Sequence, residues 1–178
     1  MAETTPTAIS MFSAEDVAVH LRELGTLLNA CVHAGASIGF VLPHPQAESE
    51  KFWRERILPA VRNGSVALLV ARQGGRIVGS AQLACDTPPN QAHRADVRKL
   101  LVHPDCRRKG IARALMAELE ALAIRRGRRL LTLDTRSGDA AEPLYASLGY
   151  RTAGVIPGYC RDAIEDHLDS TTIMYKVI

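Results

Sequence analysis

The sequence predicts a mixed α/β protein, a sheet with helices packed on its faces. Three observations carry this. Apolar residues recur at spacings of three and four in separated stretches, apolar runs of strand length lie after and between them, and glycine or Asn-Gly marks the changes of period. The 178 residues can bury one core without staples, and 47% hydrophobic with 23% charged residues exclude a disordered, collagen-like or coiled-coil chain. A single domain over residues 1–178 is expected.

Ser13 with Asp16 forms a capping pair, and Val17, Leu21, Leu24, Leu28 and Val32 then share one face, which predicts a helix over residues 14–33 ended by Gly35. A weaker helical stretch covers residues 45–62 around Phe52, Trp53, Ile57 and Val61; its Pro59 either kinks the helix or starts its last turn. Between them HAGASIGFVLP, residues 33–43, reads as a loop rich in small residues. Past Asn63-Gly64 the period changes. SVALLVAR (65–72) and RIVGSAQLAC (76–85) are strands separated by Gly74-Gly75, a hairpin signal. Residues 86–90, with Pro88 and Pro89, form a turn, and residues 94–102 a third strand closed by His103-Pro104.

Residues 111–126 are helical on the Leu115, Met116, Leu119, Leu122 and Ala123 face, and Gly127 stops them behind a basic last turn that suits the helix dipole. LLTLDT (130–135) is a nearly continuous apolar strand with an acidic end, expected in mid-sheet with both faces covered. A short helix over 140–148 ended by Gly149, a strand over 150–155, a connecting loop over 161–170 and a final strand over 171–178 complete the chain. No apolar run approaches the roughly 18 to 20 residues that span a bilayer. Residues 1–7 lack the order of a secretion signal, so a cytoplasmic protein without membrane contact is expected.

Cys31, Cys85, Cys106 and Cys160 form no Cys-x-x-Cys pair and have no histidine at zinc-ligand spacing, which predicts free thiols and no metal. The net charge of +3 hides a concentration: residues 94–129 hold 11 Lys and Arg against 4 Asp and Glu. No aromatic residue is interleaved there for base stacking, so the patch reads as an anion site and no nucleic-acid partner is expected.

The sharpest local feature is a strand followed by Arg107, Arg108, Lys109, Gly110, Ile111 and Ala112 and then a helix. A helix start leaves backbone N–H groups unpaired and carries partial positive charge, so it can hold a phosphate or diphosphate. The competing reading is a polar turn with a solvated charge run. Neither a Walker loop nor the three-glycine dinucleotide fingerprint fits these residues.

At this segment the chain resembles the GNAT family of N-acetyltransferases, whose pattern of Gln or Arg, two residues, Gly, one residue, then Gly or Ala is matched by Arg107, Gly110 and Ala112 after KLLVHP. A second family pattern is matched by Leu144-Tyr145 with Gly149-Tyr150. The resemblance covers roughly residues 65–155 and implies a mostly antiparallel, twisted sheet with helices on both faces. It implies acetyl-CoA as cosubstrate, with the pantetheine along Leu101 and Val102 and the diphosphate at Arg107 to Ala112. Residues 65–155 then form the acetyl-CoA-binding core and the helices within 13–62 the acceptor side. Where many members carry an Asn seven residues before the Tyr, this chain has Gly138. A narrower resemblance, carried by HAGASIGF, RADVRKLLV, LLTLDT and GYC in this order, is to the tabtoxin resistance acetyltransferase group, which acetylates the amine of a small toxin and implies a role in antibiotic resistance.

Attack on a thioester needs a neutral amine, yet an alkyl ammonium of pKa about 10 is deprotonated only about one part in a thousand at pH 7, a deficit of roughly 4 kcal/mol. Asp134, at the end of an apolar strand where such a sheet opens, is the candidate base or amine orienter, with turn capping as the alternative. Tyr145 is, by the resemblance, the donor to the departing thiolate, and the amide of Leu101 the group that holds the reacting carbonyl oxygen. Cys106 and Cys160 lack a neighbouring His, so no covalent enzyme intermediate is expected. Ser37, Phe40 and Tyr159 offer a hydroxyl, a flat apolar wall and a phenol to a small amine, and Glu142 is a second acid able to meet its charge. Two alternatives stay open, acetylation of a protein N-terminus or lysine and a non-catalytic CoA-binding module. The chain is expected as a monomer or a homodimer.

Overall fold

The structure, a computed structural model, describes residues 6–178; residues 1–5, most of the start read above as lacking a secretion signal, lie outside the described residues. Its strands are β1 (Ala8–Phe12), β2 (Val66–Gln73), β3 (Arg76–Ala84), β4 (Arg94–Val102), β5 (Leu130–Arg136), β6 (Arg151–Arg161) and β7 (Leu168–Val177). Its α-helices are α1 (Ala14–Val19), α2 (Leu21–His33), α3 (Gln46–Phe52), α4 (Leu58–Arg62), α5 (Ile111–Arg125) and α6 (Ala141–Ser147). The strands form one sheet in the order β1-β2-β3-β4-β5-β7-β6, antiparallel at every junction except the parallel β4–β5 pair. Among the described residues no helix is long and apolar enough to cross a membrane.

Two apolar clusters lie on opposite faces of the sheet. Leu115, Met116 and Leu119 of α5 pack against Val78, Ala81 and Leu83 of β3 and against Leu131 and Leu133 of β5. Leu24, Leu27 and Leu28 of α2, with Trp53, pack on Leu68, Val70 and Leu101 across the other face. Burying each such side chain stabilises the fold by about 1.5–3 kcal/mol before chain entropy is subtracted. Covered from both sides, β3 is buried from Ile77 to Ala84. The expectation of double cover for the LLTLDT strand is therefore corrected: only Leu131 and Leu133 are buried and Asp134 is exposed, because β5 has a helix on one face and a cleft on the other.

Local chemistry explains the other differences. The Ser13–Asp16 capping box forms, but the predicted helix is two helices, broken where His20 leaves the helical region at φ −102°, ψ 20°. Pro59 is accommodated by a wide π turn over Trp53–Ile57, which removes the i−4 clash that a proline ring makes in a straight helix. β1 has only Phe12 buried, so no apolar alternation announces it. β6 runs to Arg161 instead of ending at residue 155, because a register shift between Ile156 and Cys160 absorbs Pro157.

Candidate active site

β4 and β5 share only the pairs Arg94↔Leu130, Ala95↔Leu131 and Asp96↔Thr132, and beyond them the two strands part. The cause lies in β4. Between Gln82↔Arg98 and Ser80↔Leu101, Lys99 and Leu100 together face the single residue Ala81, and Lys99 takes the left-handed conformation, φ 50°. Such a bulge bends and twists its strand, turning β4 away from β5. A cleft of about 820 Å³ opens in the gap, lined by Val97–Val102 on one side and Asp134–Arg136 on the other.

The ladder fixes which β4 amides face this cleft. His103 N–H donates to the Val78 carbonyl at 2.9 Å, and Leu101 stands two residues earlier, opposite Ser80. By the alternation of an antiparallel pair, the Leu101 amide points to β3, whereas the backbone of Leu100 and Val102 turns to the cleft. The Val102 carbonyl accordingly accepts from Arg107 Nε at 3.3 Å and Cys31 Sγ at 3.5 Å. The expectation that the Leu101 amide holds a reacting oxygen is thereby corrected; its buried side chain packs in the α2-side cluster.

At the other end a tight turn over Pro104–Cys106 leads into α5, and Gly110 caps the helix at φ 79°. No side chain caps α5, its first turn has no acidic residue, and its first backbone bond is Ala114 N–H to Gly110 O at 3.0 Å. The amides of Ile111, Ala112 and Arg113 thus have no acceptor within the helix. Arg107, Arg108 and Arg113 line the cleft beside them. Lys109 does not; its Nζ donates to the Asp105 carbonyl at 3.0 Å.

Asp134 and Tyr145 both line the cleft, near enough for the carboxylate's charge to act on the phenol. Asp134, at the end of β5, is exposed and makes no hydrogen bond or ion pair among the described residues. Tyr145 is 6% exposed, with its ring edge-on to Tyr150 at 5.8 Å. Burial pushes its phenol far above the usual tyrosine range, and the charges of Asp134 and Asp139 push the same way, so the hydroxyl keeps its proton. Glu142 turns elsewhere, accepting from Gly138 N–H at 2.7 Å.

Ser37 and Tyr159 also line the cleft, and Ser37 Oγ lies 3.5 Å from Cys160 Sγ. Leu42 N–H donates to Ala163 O at 2.8 Å and ties the 34–43 loop to the β6–β7 hairpin. Phe40 is a correction. It is no wall of the cleft; its ring packs edge-on against Phe52 at 5.2 Å, one layer behind. Asp162, His167 and Asp169 lie close enough to share a cation, but Arg136 Nη1 already stands 2.7 Å from Asp162 and 3.5 Å from Asp169. All four cysteines are free. Sequence reasoning missed Lys99, Arg136 and the left-handed bulge, since a lysine in a strand carries no local signal of a positive φ.

A family model described as an acetyltransferase (GNAT) domain matches residues 36–165. An uncharacterised N-acetyltransferase from the hisH-hisA intergenic region of Azospirillum brasilense is 34% identical over 125 residues, 69% of this chain and 72% of the relative. Two solved structures share the fold at low identity. A ribosomal-protein-alanine N-acetyltransferase from Brucella melitensis superposes with a TM-score of 0.75 at 22% identity over 96% of this chain and 99% of that one. The protein yncA of Salmonella typhimurium, assigned as an acetyltransferase and solved with its cofactor acetyl-CoA, gives a TM-score of 0.74 at 20% identity over 97% and 94%.

Proposed function

The chain belongs to the GNAT family of acetyltransferases, and we propose on that footing that it moves an acetyl group from acetyl-CoA to the primary amine of a small molecule by direct attack. The observation that carries the proposal is the convergence, in one cleft, of an uncapped helix N-terminus ringed by arginines, a strand with outward amides, and Asp134 and Tyr145.

The fit to acetyl-CoA is chemical. Three unpaired amides at Ile111, Ala112 and Arg113, the α5 dipole and Arg107 and Arg108 suit a diphosphate. The backbone of Leu100 and Val102 pairs with the amides of the pantetheine, while Leu101 backs them from the core. Acetyl-CoA supplies a thioester whose carbonyl carbon the amine attacks and whose thiolate departs. Asp134 receives the incoming ammonium and takes its proton, directly or through a water. Tyr145 donates a hydrogen bond to the departing sulfur. With its pKa raised so far it acts as a charge-stabilising donor and does not itself ionise. An amide of the β4 bulge holds the carbonyl oxygen.

The acceptor class rests on the cleft that Ser37, Tyr159 and Asp134 line together, and on the resemblance of HAGASIGF and GYC to the tabtoxin resistance group. A toxin-like or antibiotic amine, an amino acid and a dipeptide all fit that description. The test is CoA release across free amino acids, dipeptides, aminoglycosides, polyamines, β-lactam amines and short peptides. Turnover confined to peptides would replace the small-molecule acceptor by a protein terminus or lysine. Tight acetyl-CoA binding with no turnover on any acceptor would reduce the protein to a binding module.

A further inference from the structure

The acceptor end of the cleft holds a second unpaired charge besides Asp134. At the bulge, the left-handed conformation of Lys99 sends its side chain beneath the 34–43 loop, where Nζ donates to the Ile38 carbonyl. It stands 5.5 Å from the Phe40 ring centroid and 5.8 Å from that of Phe52. Although those rings lie behind the cleft, Lys99 itself lines it, and its ammonium is near enough to feel the charge of Asp134.

An ammonium has three donors, and only one of Lys99's is used. Among the described residues no other acceptor takes the remaining two, and no carboxylate lies within ion-pair distance. Of the other cations at this end, Arg136 faces Asp139, Asp162 and Asp169, while the more exposed Arg98 shares Asp96 with Arg94. Burial lowers the Lys99 pKa from the ordinary lysine range; the field of Asp134 only partly opposes this, and Arg98 adds to it. A cation held out of water at a cost is one that an arriving anion stabilises. Lys99 and Asp134 therefore present opposite, unpaired charges to one cavity.

We propose that Lys99 is a specificity-determining residue that binds a carboxylate on the same acceptor whose amine Asp134 receives. This rests on the small-amine reading above and narrows it to acceptors that carry both charges. A polyamine or an aminoglycoside lacks the anion and brings further positive charge against Lys99.

The experiment measures kcat/KM for matched four-carbon amines, 4-aminobutyrate against its carboxamide and against 1,4-diaminobutane, and for dipeptides against their C-terminal amides. The enzymes are the wild type, Lys99→Met, Lys99→Arg and Lys99→Glu, each with its acetyl-CoA affinity measured. Dividing the wild-type carboxylate-to-amide ratio by that of a variant cancels differences in amine basicity. The expected result is a wild-type preference for the carboxylate that falls at least tenfold in Lys99→Met, survives in Lys99→Arg and inverts toward the diamine in Lys99→Glu. A role confined to holding the loop would lower all acceptors together and leave the ratio unchanged. Equal ratios in wild type and Lys99→Met, a wild type that prefers the diamine, or a wild type that binds acetyl-CoA and acetylates no carboxylate-bearing amine would each overturn the proposal. Should Lys99→Met fail to fold, the wild-type preference and its retention in Lys99→Arg decide. Loss of acetyl-CoA binding by the wild type would instead remove the acetyl-transfer reading beneath it.

Discussion

Replacing Tyr145 by Phe removes one hydroxyl and leaves the ring, which is 6% exposed and edge-on to Tyr150, in place. The hydroxyl makes no protein hydrogen bond among the described residues, so no buried partner is orphaned and stability should change by less than about 1 kcal/mol. Catalysis should respond differently. A hydrogen bond to a charged sulfur contributes about 1.5–3 kcal/mol, and at 1.36 kcal/mol per factor of ten its loss lowers kcat about tenfold to 150-fold. Because the bond forms only as charge develops on the sulfur, acetyl-CoA affinity should be unchanged. Burial, followed by the charges of Asp134 and Asp139, keeps the phenol protonated beyond pH 10, so the substitution should remove no falling limb from the pH profile below that pH. Thiol release in single turnover gives the rate, and calorimetric titration the affinity. A kcat within twofold of wild type, or a drop in acetyl-CoA affinity as large as the drop in rate, would refute the reasoning.

Gly110→Asp puts a side chain on a residue at φ 79° and a negative charge where three helix amides lie open; calorimetry should find acetyl-CoA binding abolished, with Gly110→Ala intermediate. Gly79→Ala acts on packing, since a Cβ there would lie 2.9 Å from the Leu101 carbonyl and 3.1 Å from Ile111; urea unfolding should show a loss of about 1–3 kcal/mol, and an unchanged midpoint would contradict the packing. Asp162 is held down at about 2, by N–H groups of Glu165 and Ile164 first and then by Arg136. Since this lies below the unfolded value of about 3.9, the associated stability is full above that pH and is lost as pH falls toward 2. Thermal melts of wild type should therefore drop more steeply across that window than those of Asp162→Asn, and parallel curves would remove Asp162 from the acid transition.

Much of the architecture was written in periodicity. The α5 stripe, the Gly74-Gly75 hairpin and the Ser13 capping box lie where local rules place them, because each acts over a few residues. β1 escaped because one buried residue makes no pattern, and the tail of β6 because proline signals the end of pairing unless a bulge takes it up. At the site, the turn into α5 was legible from Gly110 and its arginines. Phe40 was misplaced because an aromatic beside a small-residue loop gives no sign of which layer it enters. Lys99 was invisible for the opposite reason: its meaning lies in Ile38, Phe40 and Phe52, which are distant in sequence and meet only in the fold.

The central claim is that the start of α5 grips the diphosphate of acetyl-CoA and so aims the thioester into the gap between β4 and β5. A crystal structure of the complex tests it most directly. Diphosphate oxygens should accept from the Ile111 and Ala112 amides, with the sulfur lying toward Tyr145. A nucleotide seated elsewhere on the sheet, or no bound cosubstrate at saturating concentration, would contradict it.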